Sequence, residues 1–441
     1  MKYLVFSLAF AFGVPAIAVL ASWSRSARGW LLALLVLSTA LGDLANINFL
    51  SMETYRGPDR GFEVSLSDLV ALGLTLSVVL TDAVRVRWMP PLTLSFAAFF
   101  LVGVASTISA PVPLLGLFTL AKMAKFYLVF WCVTNVLRTG TDRRYLWYGF
   151  VGIAAVLTVL AVYQKYGLGL YRVHASFDHS NTIPAFANLI LPALVMWALV
   201  DRDISPRDVA VSALAALGLL FCVVATFSRA GLVLSVTAAL ASMALGARRA
   251  VGVRTIVASF ATVVVMSAGG VVAADSVVKR FREAPESSHD ARLEFNTAAR
   301  MMAADHVLGV GLNNFSRVLS DEARYRSHVS VLASEEEAGV AHHIYLLTAA
   351  ETGYLGLAAF ILVMVSLTLR AAWHGLRASD TEAALVGGFL VGICALHVVG
   401  SLEWVFRLSP VLYLFAVVAA AAVAFPDPQR ARILLSREAA A

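Results

Sequence analysis

Between Asp208 and Gly246 the chain reads DVAVSALAALGLLFCVVATFSRAGLVLSVTAALASMALG. Two apolar runs, 208–227 and 230–246, meet at Thr226-Phe227-Ser228-Arg229, and after Asp208 the only charge in the stretch is Arg229. As a helix rising 1.5 Å per residue, each run is about as long as a bilayer's hydrocarbon core is thick, roughly 30 Å. A helix is also the form in which such a run satisfies its own backbone in lipid. The turn between the runs is very short, so the stretch reads as a helical hairpin that crosses a membrane and returns.

The pattern extends in both directions. Apolar runs of span length occupy 3–22, 30–49, 67–83, 92–109, 114–136, 146–164, 184–200, 255–273, 353–369, 383–400 and 409–425, which with the opening pair makes thirteen. The first is broken by Gly13 and Pro15 and follows Lys2, as in a signal peptide, but no polar mature domain follows it. It therefore reads as a retained span, or as an interfacial helix that lowers the count to twelve. The fold class expected is all-α, a polytopic transmembrane bundle of 12–13 spans. Composition agrees: 60% of the residues are apolar and 14% charged, with a mean hydropathy of +0.80. Soluble domains carry about 25% charge. Long runs rather than alternation argue against an outer-membrane barrel. All three cysteines, Cys132, Cys222 and Cys394, lie within spans, so neither a disulfide framework nor a cysteine metal site is expected.

Basic residues set the orientation. One set of alternate turns, with the C-terminal tail, holds 17 of them and the short turns of the other set hold six, so the first set is expected to face the cytoplasm. The net charge of +6 is mostly this topological bias, scattered singly between spans, and does not read as a nucleic-acid surface. One connection stands apart. Residues 274–341 carry 19 charges in 68 residues, against 43 in the remaining 373. Within it Phe295, Ala299 and Met302 recur at helical spacing, with Arg292 one turn earlier on the same face. The chain thus divides into a bundle of ten spans (1–273), a large, partly helical outer loop (274–341), the last spans (342–425) and a basic cytoplasmic tail (426–441).

Ionisable groups inside spans are costly and point to function. Lys122 and Lys125 share a helix face in mid-span. Either they are satisfied by Asp43 or a carbonyl of a neighbouring helix, or they form a cationic floor for an anionic ligand. Arg229, at its hairpin tip, is either a membrane anchor or a phosphate ligand, since guanidinium fits phosphate bidentately. His174, Asp178 and His179 are too irregularly spaced for a metal site and read as polar lining of a cavity mouth. Gly309-Val310-Gly311 follows no strand, so it reads as a tight turn rather than a dinucleotide fingerprint. His342 and His343 sit where water meets lipid, suited either to general-base work or to capping a helix.

Four of these features, in this order, resemble the O-antigen ligase and polymerase family of bacterial envelope glycosyltransferases. They are Ser176 to Asn181 before a span; Ser228-Arg229-Ala230-Gly231 at a hairpin; Arg292 followed by Gly309 to Phe315; and His342 to Leu346 followed by Glu351 to Gly356. The resemblance covers roughly 160–400. It departs at His343, where the family usually has Asn, which leaves open which histidine acts; alignment favours His342.

The resemblance implies an inverting, metal-independent enzyme without cofactor or nucleotide sugar. It would move a glycan from an undecaprenyl diphosphate carrier to an acceptor sugar hydroxyl at the periplasmic face of the inner membrane. His342 would be the catalytic base, and Arg229 and Arg292, with Arg280 and Arg282, the diphosphate clamp. Lys122, Lys125, His343, Asn181, Tyr345 and Glu351 would line the cavity or bind substrate. The implied partners are the lipid-linked donor, an acceptor glycan, membrane lipids and a chain-length regulator. The acceptor is a second lipid-linked repeat unit in a polymerase and lipid A–core, or protein, in a ligase. The segment 53–63 looks like relatives associated with exopolysaccharide assembly, which inclines the reading to a polymerase. A transporter or flippase explains the spans equally well, but it predicts inverted repeats, which the sequence does not show, and leaves the charged loop unexplained.

Overall fold

The computed structural model describes residues 2–42, 46–82, 86–138, 143–200, 205–249, 286–330, 339–377 and 381–425. The tenth apolar run, 255–273, and the expected phosphate ligands Arg280 and Arg282 lie outside the described residues, as does Asp43.

Described in chain order, the elements are α1 (Tyr3–Trp23), α2 (Arg25–Ser38), β1 (Asn46–Phe49), β2 (Phe62–Ser65), α3 (Leu66–Asp82), α4 (Thr93–Ile108), α5 (Pro113–Arg138), α6 (Arg143–Gly167), α7 (Thr182–Val200), α8 (Pro206–Ala225), α9 (Arg229–Arg249), α10 (Glu286–Asp305), α11 (Phe315–Asp321), α12 (Ala323–Arg326), α13 (Ile344–Arg377), α14 (Thr381–Gly400) and α15 (Ser409–Ala424). Among the described residues, eight of these helices are long and apolar enough to cross a membrane, and Leu66–Thr81, Thr93–Ile108 and Ser409–Ala424 are shorter apolar helices. The chain is an all-α polytopic bundle.

The apolar run 30–49 is not one span. α2 ends at Ser38, Gly42 turns with φ +52°, and 46–49 form a strand antiparallel to β2. An average over twenty residues conceals the alternation Asn46-Ile47-Asn48-Phe49, which has the period of a strand. Phe49 packs on Phe6 of α1 (centroids 4.5 Å apart), and Phe62 packs edge-on against Phe118 of α5 (4.9 Å). Ser65 then opens α3, its backbone N–H donating to Asp68 Oδ2 at 2.8 Å.

α7 is the hub. Every residue from Thr182 to Val200 is buried. It packs against α14 through glycines: a Cβ at Gly388 would sit 3.0 Å from Ala193 Cα, and one at Gly392 2.9 Å from the Asn188 carbonyl oxygen. Small residues at helix contacts are how membrane helices gain packing where lipid and leucine are equally apolar. α8 and α9 flank the hub, and α10 lies over α13 with Phe295, Ala299 and Met302 buried.

α13 bends at Gly353 (φ 69°, ψ 178°), a region reserved for glycine. The bend receives the Gly309–Gly311 turn. Val310 N–H donates to the Ala350 carbonyl at 2.8 Å and Gly311 N–H to the Glu351 carbonyl at 3.0 Å. Asn313 reaches on, its amide donating to the carbonyls of Asp59 (2.7 Å) and Leu115 (3.1 Å). The glycine motifs are thus a strut that ties the segment after α10 to α13, to α5 and to the loop between the strands.

Candidate active site

A cavity of about 1510 Å³ opens between the β1–β2 ribbon, the 177–184 segment, the α8–α9 turn, the start of α10 and the α14–α15 turn. His342, Arg229, Arg292, Asn181 and Lys122 all line it, as do Asp178 and His179.

One of its lining groups is a carboxylate with several partners. Glu403 follows α14 in a turn held by its own N–H on the Val399 carbonyl at 2.9 Å. His342 Nδ1 lies 3.0 Å from Glu403 Oε2. Glu403 Oε1 accepts from Arg292 at 2.8 Å and from the Asn181 amide at 3.1 Å. Asn181 Oδ1 in turn accepts from Arg172 at 2.9 Å, and Arg172 Nε donates to the Thr226 carbonyl at 2.8 Å. Three segments distant in sequence therefore converge on one carboxylate. Burial alone would push the Glu403 carboxyl up, but the hydrogen bond and charge of His342 and the charge of Arg292 outweigh it and hold the group below its ordinary value. When the imidazole is neutral and its Nδ1–H faces this carboxylate, the other ring nitrogen keeps its lone pair. That nitrogen, His342 Nε2, is buried and has no partner among the described residues.

Arg229 begins α9 at the cavity wall. The turn before it puts Phe227 at φ +52° and closes with Ser228 N–H on Thr226 Oγ1 at 3.1 Å. Gly231 is small because Pro184 of α7 is there: an added Cβ would meet the Pro184 ring at 2.5 Å. The Ser-Arg-x-Gly pattern is the packing that lets α9 approach α7 and sets Arg229 at the cavity.

Four other expected residues, Lys125, His343, Tyr345 and Glu351, are not among the cavity-lining side chains. His343 is half-buried and faces Tyr345, with ring centroids 5.7 Å apart. Tyr345 Oη bonds His397 Nδ1 at 2.8 Å. The Glu351 side chain is buried and ion-paired with Arg407.

Lys122 and Lys125 find carboxylates other than Asp43. Lys122 is buried, paired with Asp59, 3.9 Å from Glu63 Oε2, and donates to the Arg407 carbonyl at 3.0 Å. Lys125 pairs with Asp68 at 3.2 Å. Asp59 is held below its ordinary value: burial would raise it, but Lys122 and Arg407 lower it further. These charges knit the ribbon and its loop to α5 and to the Val405–Arg407 turn. Among the described residues no three His, Cys, Asp or Glu side chains cluster as a metal site.

Residues 214–361 match the O-antigen ligase family. The match covers about a third of the chain. It supplies Arg229, Arg292 and His342, while Glu403, Asn181 and Arg172 come from outside it. The match supports glycan transfer in the biosynthesis of lipopolysaccharide and related surface polysaccharides, and the apolar helices support a multi-pass membrane protein. Comparison with curated proteins gave no match.

Sequence reading missed Glu403. Locally it is marked only as the first acidic residue after the span 383–400, at the same end of the bundle as His342 and Arg229. Arg172 and Arg407 entered only as counted charges in short turns.

Proposed function

We propose that the protein transfers a glycan from undecaprenyl diphosphate to an acceptor sugar hydroxyl, polymerising lipid-linked repeat units at the periplasmic face of the inner membrane. The observation that carries the proposal is His342: one ring nitrogen faces a carboxylate, and the other is buried at the cavity without a partner among the described residues. In the proposed step the acceptor oxygen attacks the anomeric carbon from the face opposite the diphosphate. Its proton passes to His342 Nε2, the glycosidic C–O bond breaks, and the electron pair leaves with the lipid diphosphate. Direct displacement inverts the anomeric centre. Glu403 orients the imidazole and stabilises the imidazolium as it forms, the division of labour of a carboxylate–histidine pair. Arg229 and Arg172 neutralise the leaving diphosphate, whose charge grows in the transition state. Arg292 does so with the donors left over from its bond to Glu403. No residue role in this scheme requires a metal.

The family match, described as O-antigen ligase, favours a second reading in which the acceptor is lipid A–core. Surface glycans and lipid-linked intermediates in a deletion strain separate the two. Single repeat units joined to the acceptor are expected for a lost polymerase, and long chains stranded on the carrier for a lost ligase. Restoring the strain with His342→Ala is expected to give protein in the membrane and no rescue, and full rescue overturns the mechanism.

A further inference from the structure

The β1–β2 ribbon is amphipathic, and its polar side faces inward. Register pairs Asn46 with Ser65 and Asn48 with Glu63, so these four side chains share one face. All four line the cavity. The intervening pairs, Ile47 with Val64 and Phe49 with Phe62, take the other face, where Phe49 meets α1 and Phe62 meets α5. Asn46 Oδ1 is buried and has no partner among the described residues. A membrane protein that turns an amide-rich ribbon face away from its apolar neighbours holds hydrogen-bonding capacity for something polar.

The wall is also rigid. Tyr55 Oη, in the loop between the strands, donates to the Asn313 carbonyl, and the Asn313 amide returns a bond to the Asp59 carbonyl. Ser65 is fixed by Asp68, and Glu63 Oε2 accepts from Ser409 at 2.5 Å. Polar groups held in place by a second layer of bonds bind with little ordering cost.

The cavity therefore has two chemically different walls. Around Glu403 the groups are guanidinium and imidazole, suited to a diphosphate and a proton. On the ribbon they are amide, hydroxyl and one carboxylate, suited to neutral sugar hydroxyls that donate and accept at once. Resting on the glycan-transfer reading above, we propose that the inner face of the β1–β2 ribbon is the acceptor-glycan subsite, binding sugar hydroxyls through Asn46 and its neighbours. It lies outside the 214–361 match, so acceptor choice is carried by a part of the chain separate from that segment.

The test uses the full chain in nanodiscs, with labelled lipid-linked glycan from the host envelope as donor. The acceptor is unlabelled lipid-linked repeat unit in one arm and lipid A–core in the other. Asn46→Ala is expected to raise the KM for the active acceptor about tenfold, leaving the donor KM and kcat within twofold, as the loss of one or two neutral hydrogen bonds implies. Asn46→Ser, which keeps a hydroxyl, is expected to fall between, and serves should the alanine variant fail to insert. Ile47→Val, on the apolar face, is expected to match wild type. A rise in donor KM instead overturns the assignment to the acceptor, and unchanged constants reduce the ribbon to a solvated wall. Wild-type protein that transfers to neither acceptor sinks the underlying reading and the subsite with it, a result distinct from either.

Discussion

Glu403→Gln is the sharpest probe of the proposed chemistry. Glutamine keeps the length of the side chain and an oxygen for His342 Nδ1–H, but removes the charge. The carboxylate oxygen lies 3.0 Å from Nδ1. Unit charges at 3–4 Å interact with about 4–6 kcal/mol at an effective dielectric of about 20. Glu403 shares its charge with Arg292 and Asn181. Halving the figure for that sharing leaves about 2–3 kcal/mol of imidazolium stabilisation, which appears only as the proton arrives and so acts on kcat. At 1.36 kcal/mol per decade this is a kcat lower by roughly 30- to 150-fold. The assay is single-turnover transfer from labelled lipid-linked glycan by protein in nanodiscs, with both KM values measured. They are expected to change little, because neither substrate needs the carboxylate to bind. A kcat within threefold of wild type refutes the dyad. So does a loss carried wholly by donor KM, which would make Glu403 only a tether for Arg292.

Arg229→Lys is expected to lose nearly as much activity as Arg229→Ala, because an ammonium cannot reproduce the bidentate fork; a silent lysine variant leaves Arg229 as a membrane anchor. Lys122→Ala strands buried Asp59 and is expected to cost about 3–5 kcal/mol, read as lost thermal stability in detergent, while Lys122→Met/Asp59→Leu recovers most of it; an unstable double variant counts against the ion pair as the reason for Lys122. Gly353→Ala forces a Cβ within 1.9 Å of the Val307 carbonyl oxygen at φ 69° and is expected to lower the melting midpoint by several degrees, consistent with about 1–3 kcal/mol for a backbone conformation of this kind. Stability should fall steeply in acid. The charges around Glu403 and Asp59 hold those carboxyls below 4.5 and 3.8 despite burial. A depressed carboxyl contributes stability that is present above its unfolded value and lost as pH falls through the folded one. The melting midpoint is therefore expected to drop steeply below about pH 4.5; a midpoint that holds or rises there contradicts the directions.

The bundle was legible because hydropathy over twenty residues is a property of composition, and lipid leaves a chain few alternatives. The same averaging obscured the ribbon. Asn46 to Phe49 is half apolar, and its period of two vanishes into a window dominated by Leu31 to Leu37. The histidine, the arginines and Asn181 could be found because each stands within a patterned segment. Glu403 could not, because it stands in none: it matters through contacts with His342, Arg292 and Asn181, which lie 61, 111 and 222 residues away. Long-range pairing of this kind is a consequence of topology and leaves no local trace.

The strut residues show the converse. Gly309, Gly311, Glu351 and Gly353 form the most motif-like part of the chain, yet none lines the cavity. Gly309 and Gly353 have positive φ and meet across a gap that no side chain fits: a Cβ on Gly353 would lie 3.1 Å from Gly309 N. Glu351 lends its carbonyl to Gly311 and its carboxylate to Arg407, four residues after Glu403. The pattern is thus demanded by a backbone junction that holds α13, the cavity floor and the turn bearing Glu403 in one register. Glu351 braces the turn that bears Glu403 from behind, through Arg407. A Glu351→Gln variant is therefore expected to lose stability first and to reduce transfer only in proportion to the folded protein that remains.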